Sequence, residues 1–175
     1  MKNLLLAVLL VFSVAQARAD FLIEPLIGYT IAGDVGEATK YDASGAGFGA
    51  RVGFQTLGLM AGLDYQSNSL TLDTTPTETD ADSTEIGLFV GYEFPILLRV
   101  WGAYMVSGEA DFGASGKYKG LSGTKFGIGW TGLPFLCINL EFKSYEYDED
   151  EPGATLNPAA EYTATMLSVS LPLTF

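Results

Sequence analysis

The sequence predicts an all-β fold, an eight-stranded antiparallel up-and-down β-barrel that spans a membrane, and three observations carry that prediction. Hydrophobicity is spread as alternation. The chain is 48% hydrophobic with 21 glycines, yet residues 20–175 hold no unbroken apolar run of the about 20 residues a membrane helix needs. Charged residues within the alternating segments fall on one face. The connections alternate between tight and long, a parity that a soluble β-sandwich has no reason to show.

Eight segments have period two. In Phe21 to Ile31, Ile23, Ile27, Tyr29 and Ile31 oppose Glu24, Gly28 and Thr30. In Gly47 to Gln55, Phe48, Ala50, Val52 and Phe54 oppose Gly49, Arg51 and Gly53. Leu57 to Gln66 sets Leu59, Ala61, Leu63 and Tyr65 against Gly62, Asp64 and Gln66. Glu85 to Phe94 sets Ile86, Leu88, Val90, Tyr92 and Phe94 against Glu85, Gly87, Gly91 and Glu93. Leu98 to Val106 is the least regular, because Trp101 and Met105 share the face of Arg99, opposite Val100, Tyr104 and Val106. Thr124 to Thr131 places Phe126, Ile128 and Trp130 opposite Lys125, Gly127 and Gly129; Leu136 to Tyr145 places Ile138, Leu140 and Phe142 opposite Asn139, Glu141 and Lys143. Thr163 to Phe175 completes the set, with Leu167, Val169, Leu171, Leu173 and Phe175 opposite Ser168, Ser170 and Thr174. Each is about the 9–11 residues of a tilted membrane strand.

Tight connections are expected around Thr56, Pro95-Ile96 and Leu133-Pro134. Long acidic loops are expected over residues 32–46, 67–84, 107–123 and 147–162. Short turns on the periplasmic side and long loops outside are the pattern of outer-membrane barrels. Glu24, Arg51, Asp64, Glu85, Glu93, Arg99, Lys125, Glu141 and Lys143 all fall on the same face. A basic residue facing lipid at mid-membrane costs about 2–4 kcal/mol, so this face must line the lumen. The lipid-facing aromatics gather near strand ends, Tyr29, Tyr65 and Tyr104 at one rim and Phe54, Phe94 and Trp130 at the other, as in an aromatic girdle. Proline supports the same frame: only Pro25 and Pro172 lie inside strands, near the periplasmic ends of the first and last, where water can replace a missing donor.

Residues 1–19 read as a signal peptide, with Lys2 as a positive n-region, an apolar stretch from Leu4 to Ala15, and Ala17-Arg18-Ala19 before a cleavage at Asp20. Residues 20–175 then form one barrel domain. The whole chain carries −12, and losing Lys2 and Arg18 lowers this to −14. Such a balance argues against a nucleic-acid partner, which demands a basic face. The single Cys137 forbids an intrachain disulfide and reads as a small buried filler of the inner face.

The final strand, Met166 to Phe175, resembles the assembly signal of outer-membrane barrels, with Leu171, Leu173 and Phe175 in alternation. With the export segment and the loop parity, the whole mature chain resembles the small eight-stranded outer-membrane barrels of the OmpA, OmpX and OmpW kind. Pro172 departs from the usual ending. The resemblance implies residence in the outer membrane of a Gram-negative bacterium, among its lipids and lipopolysaccharide, after insertion by the barrel-assembly machinery.

Chemistry is harder to find. The chain has no histidine, so Ser168 or Ser170 has no imidazole to take its proton, and interior acids interleaved with Arg and Lys suit an ion network better than acid–base catalysis. No cofactor is implied. An eight-stranded barrel is just wide enough for side chains to fill, which favours a non-enzymatic structural or surface-interaction barrel. The inner-face glycines leave room for the alternative, a narrow channel for small solutes; a lipid-acting enzyme is the more distant alternative. The acidic run Asp148-Glu149-Asp150-Glu151 is a weak candidate for a divalent cation or a surface partner, against the plainer reading of a solvated loop.

Overall fold

The computed structural model describes residues 19–36, 40–73, 78–113, 116–150 and 153–175, apart from the side chains of 157 and 158. The export segment up to residue 18, and the positions of Pro76, Glu151 and Pro152, lie outside the described residues. The strands are β1 (Asp20–Gly36), β2 (Tyr41–Thr56), β3 (Leu59–Asp73), β4 (Glu78–Phe94), β5 (Leu98–Asp111), β6 (Lys117–Leu133), β7 (Leu136–Asp150), β8 (Thr155–Ser170) and the short β9 (Leu173–Thr174). From β1 to β8 each strand is antiparallel to the next, and β1 pairs with both β2 and β8, so the sheet closes into a barrel. Closure removes the free edges that an open sheet would have to protect.

The last strand does not run unbroken to Phe175, as the alternation predicts. It stops at Ser170, and β9 resumes against Leu22 and Ile23 of β1. Pro25 and Pro172 both lie at this seam and cannot donate to the ladder. The seam is closed instead by Leu171 N donating to Pro25 O at 3.0 Å and by a reciprocal pair between Phe21 and Phe175 at 2.9 and 3.0 Å.

A larger correction concerns the outer connections. The four stretches expected as long loops are mostly strand. β1 runs on to Gly36 and β2 begins at Tyr41; β3 reaches Asp73 and β4 begins at Glu78. The period of two persists there, but the apolar side changes face. On β3, Leu63 and Tyr65 point outward and Asp64, Gln66 and Asn68 inward; four residues on, Leu70 and Leu72 are buried inside while Ser69 and Asp73 are exposed. On β4, Asp80 and Asp82 are exposed and Ala81 is buried; on β7, Glu146 is exposed between buried Tyr145 and Tyr147. The cause is the solvent. Where the outside meets water, ordinary apolar burial puts the apolar residues inside; an apolar outer wall is what a barrel surrounded by lipid requires.

At the opposite end the turns are tight, and each holds a bulky residue at positive φ: Leu57 (φ 50°), Leu97 (φ 62°) and Phe135 (φ 64°). Leu57 is followed by Gly58 at φ 84°, so both central residues are left-handed, as a two-residue type I′ hairpin turn requires. That conformation costs a non-glycine residue about 1–2 kcal/mol.

Candidate functional site

The lumen is filled in two tiers of different chemistry. The lower tier is ionic and is organised around Arg51 on β2. Register sets Arg51 directly between Glu24 on β1 and Asp64 on β3. Its guanidinium lies 3.5 Å from Glu24 and 3.7 Å from Asp64, and reaches across the lumen to Glu141 on β7 at 3.2 Å. Arg99 on β5 pairs with Glu24 and donates to Asn139 at 3.3 Å and Ser170 at 3.2 Å. Trp101 carries both guanidinium groups over its ring, at 4.0 Å for Arg51 and 5.2 Å for Arg99. Such cation–π contacts are strongest where water is excluded.

Above this layer Lys125 binds Asp64 at 2.8 Å, and Lys143 binds Glu85 at 2.6 Å. Lys125 and Lys143 are direct cross-strand neighbours, an unfavourable like-charge pairing offset by the carboxylates between them. Gln66 joins the halves, accepting from Lys143 at 2.6 Å and donating to Glu141 at 2.8 Å. The acids Glu24, Asp64, Glu85 and Glu141 and the bases Arg51, Arg99, Lys125 and Lys143 therefore form one electroneutral cluster, each member no more than 3% exposed. Burying a charge is costly unless it is paired and hydrogen-bonded, and here every charge has an opposite partner within 4 Å.

Glu93, which shares the inner face, lies outside the cluster. It sits partly buried near the tight-turn rim and accepts from Gln55 at 3.2 Å. Trp101 and Met105, irregular on a polar face, are wholly buried in the lumen. Trp101 is the platform for the two arginines, a role that charge patterning alone does not suggest. Ser168 donates to Glu141 at 2.8 Å, and Ser168 and Ser170 both accept from Asn139. Cys137 is fully buried beside Asn139, at 3.1 Å.

The upper tier is apolar. Val35, Leu70, Leu72, Ala81, Tyr147 and Tyr162 enclose a cavity of about 10 Å³, room for roughly one water molecule. Outside this tier lies an acidic surface. Register places Asp34, Asp42, Asp73 and Glu78 in one row across β1 to β4, and Asp82 opposite Asp111. Basic residues relieve it in part: Lys40 holds Glu161 at 2.8 Å and also lies close enough to Asp34 to interact with it, and Lys117 holds Asp111 at 2.7 Å. The hydrogen bond from Lys40 lowers the pKa of Glu161; those from Lys117 and the Gly113 amide lower that of Asp111.

Of the acidic run, Asp148 and Glu149 are exposed on the end of β7. Asp150 closes the turn that follows, its carboxylate accepting from the Ala154 amide at 2.9 Å. Among the described residues no group of three or more metal-binding side chains is arranged to hold an ion. The girdle residues Tyr29, Phe54, Tyr65, Phe94, Tyr104 and Trp130 all stand on the outer wall, between 39% and 60% exposed. Leu171 and Leu173 are partly buried at the seam, and Phe175 is exposed at its end.

No protein-family profile matches this chain, and no curated protein sequence does. Solved structures do match. Neisserial surface protein A aligns over 88% of this chain and 98% of its own, with 13% identity and a TM-score of 0.57. Ail, the attachment invasion locus protein of Yersinia pestis, solved with the heparin analogue sucrose octasulfate, aligns over 88% of this chain and 99% of its own, with 12% identity and a TM-score of 0.57. The molecule has the fold of the small eight-stranded outer-membrane barrels. At this identity the likeness defines architecture and carries no binding property across.

Proposed function

We propose that this chain is a non-enzymatic surface-interaction protein of a Gram-negative outer membrane, with a closed lumen and a rigid acidic crown that faces a cationic partner. Residues 1–19 direct export and are removed, the assembly machinery inserts the barrel, and the apolar wall then meets outer-membrane lipid. The observation that carries the reading is the row Asp34, Asp42, Asp73 and Glu78, held in register on adjacent strands above the apolar wall. Like charges directly opposite one another destabilise a sheet. A fold that holds them together on its outer face gains from any cationic surface that docks there. Ail is described with a sulfated polyanion; the crown here has the opposite preference, because a polyanion would meet carboxylates.

The channel reading loses its main support in the filled lumen, and the enzyme reading in the placement of Ser168 and Ser170 inside the hydrogen-bonded cluster rather than at an open surface.

Binding of polylysine and of heparin to the protein in lipid nanodiscs tests the proposal. Polylysine should bind and be released by salt, since exposed charges are screened over about 10 Å at 0.1 M ionic strength; heparin should not bind. Preference for heparin, or no loss of polylysine binding in Asp42→Asn/Asp73→Asn/Glu78→Gln, would refute it.

A further inference from the structure

The periplasmic turns present an apolar surface that neither the lumen nor the crown explains. Leu57 is 85% exposed, Ile96 69%, Leu97 52% and Phe135 78%, and Phe175 joins them at 74%. Tight turns ordinarily carry Gly, Asn or Asp where φ is positive. Here three such positions are held by Leu57, Leu97 and Phe135, a choice that sacrifices backbone comfort to place large apolar side chains at one end of the molecule.

The length of the outer wall supplies a reason. On β2 the continuous apolar face runs from Ala46 to Phe54, on β3 from Leu59 to Tyr65, and on β7 from Leu136 to Phe142. At about 3.3 Å per residue and a tilt of about 40°, these faces rise only about 20 Å on β2 and about 15 Å on β3 and β7. An outer-membrane barrel needs an apolar band of about 25 Å. The deficit cannot be met on the outer side, where these strands go on to Ser44 and Asp42, Ser67 and Ser69, and Ser144 and Glu146. It can be met at the turns, which continue the apolar wall without a charged residue between them: Leu57 follows Phe54 on one hairpin, and Phe135 precedes Leu136 on another.

We infer that the periplasmic turns are lipid-embedded, with Leu57, Leu97 and Phe135 inserted into the periplasmic leaflet as part of the hydrophobic span. The occupant of this surface is lipid acyl chain, because the surface is continuous with the lipid-facing wall. The inference rests on the membrane-spanning reading of the barrel. A protein docked on the turns, or a second copy of the chain, would leave the span too short on the β2–β3 and β6–β7 hairpins.

The variant Leu57→Asn/Leu97→Asn/Phe135→Asn separates these cases, because asparagine tolerates positive φ and removes only the apolar contact. Refolding is read by gel shift into vesicles of thin dilauroyl- and thicker dioleoyl-phosphatidylcholine. The parent should insert into both. The variant should insert like the parent into the thin bilayer and lose yield in the thick one, as hydrophobic mismatch requires. Equal yields in both bilayers, or an equal loss in both, would overturn the inference, whereas failure of the parent to insert in either would refute the membrane reading itself. If the variant folds nowhere, the decision passes to Leu57→Cys in a Cys137→Ser background, labelled with a polarity-sensitive dye in dioleoyl vesicles. Quenching by brominated acyl chains supports lipid embedding, and quenching by aqueous iodide overturns it.

Discussion

Arg51 meets three carboxylates, Glu24, Asp64 and Glu141, with its planar face against Trp101. Lysine could not replace it, because a compact ammonium offers neither the fork nor the stacking face. Arg51→Ala leaves buried acids uncompensated and should cost about 3–5 kcal/mol, read as a lower unfolding midpoint in denaturant by gel shift. Adding Glu24→Ala restores neutrality but strands Arg99, which also pairs with Glu24, so the double variant should recover only part of the loss. Strictly additive losses would deny the coupling. Parity along the strands made the inward direction of these charges legible in the sequence. The antiparallel order of the first two strands also made the pairing of Arg51 with Glu24 legible, but not the pairs that cross the lumen between strands far apart in the chain, Arg51 to Glu141 and Arg99 to Glu24.

At the scale of the element, alternation located all eight strands but misjudged where they end. Segments such as Ser67 to Asp73 look like polar loop because their apolar residues, Leu70 and Leu72, have moved to the inner face. A phase change in hydrophobicity along an unbroken period of two is the signal that marks where the outer wall turns from apolar to polar. The extended hairpins are tied at their tips by exposed ion pairs. Asp111 and Glu161 titrate below their ordinary values because Lys117, the Gly113 amide and Lys40 favour the charged form. A lowered folded pKa stabilises above the unfolded value and is lost as pH falls through the folded one. Amide protection at the tips of β5–β6 and β1–β2 should therefore fall at acid pH relative to neutral, while the strands around the ionic tier stay protected; unchanged tip protection would contradict this. At the other end, deleting Phe175 removes both hydrogen bonds to Phe21 at the seam. Insertion into the outer membrane should drop with export-segment cleavage intact, as immunoblots of membrane fractions would show, and equal insertion would mean that the terminal strand matters less than its register suggests.

The whole molecule is a single closed wall whose filling changes along its length, ionic behind the apolar part of the outer wall and apolar behind the polar part. The two seals are independent in kind: the lower resists ions by filling the lumen with paired charges, the upper by close packing of mostly apolar side chains that leaves room for roughly one water molecule. Weakening one should leave the other standing. With both tiers in place the proposed barrel is shut to ions. Conductance of the refolded chain in a planar bilayer tests it most directly: the unmutated protein should hold the baseline of the empty bilayer, and so should Arg51→Ala/Glu24→Ala behind the intact apolar tier, whereas discrete ion-conducting openings in the unmutated protein would contradict the claim.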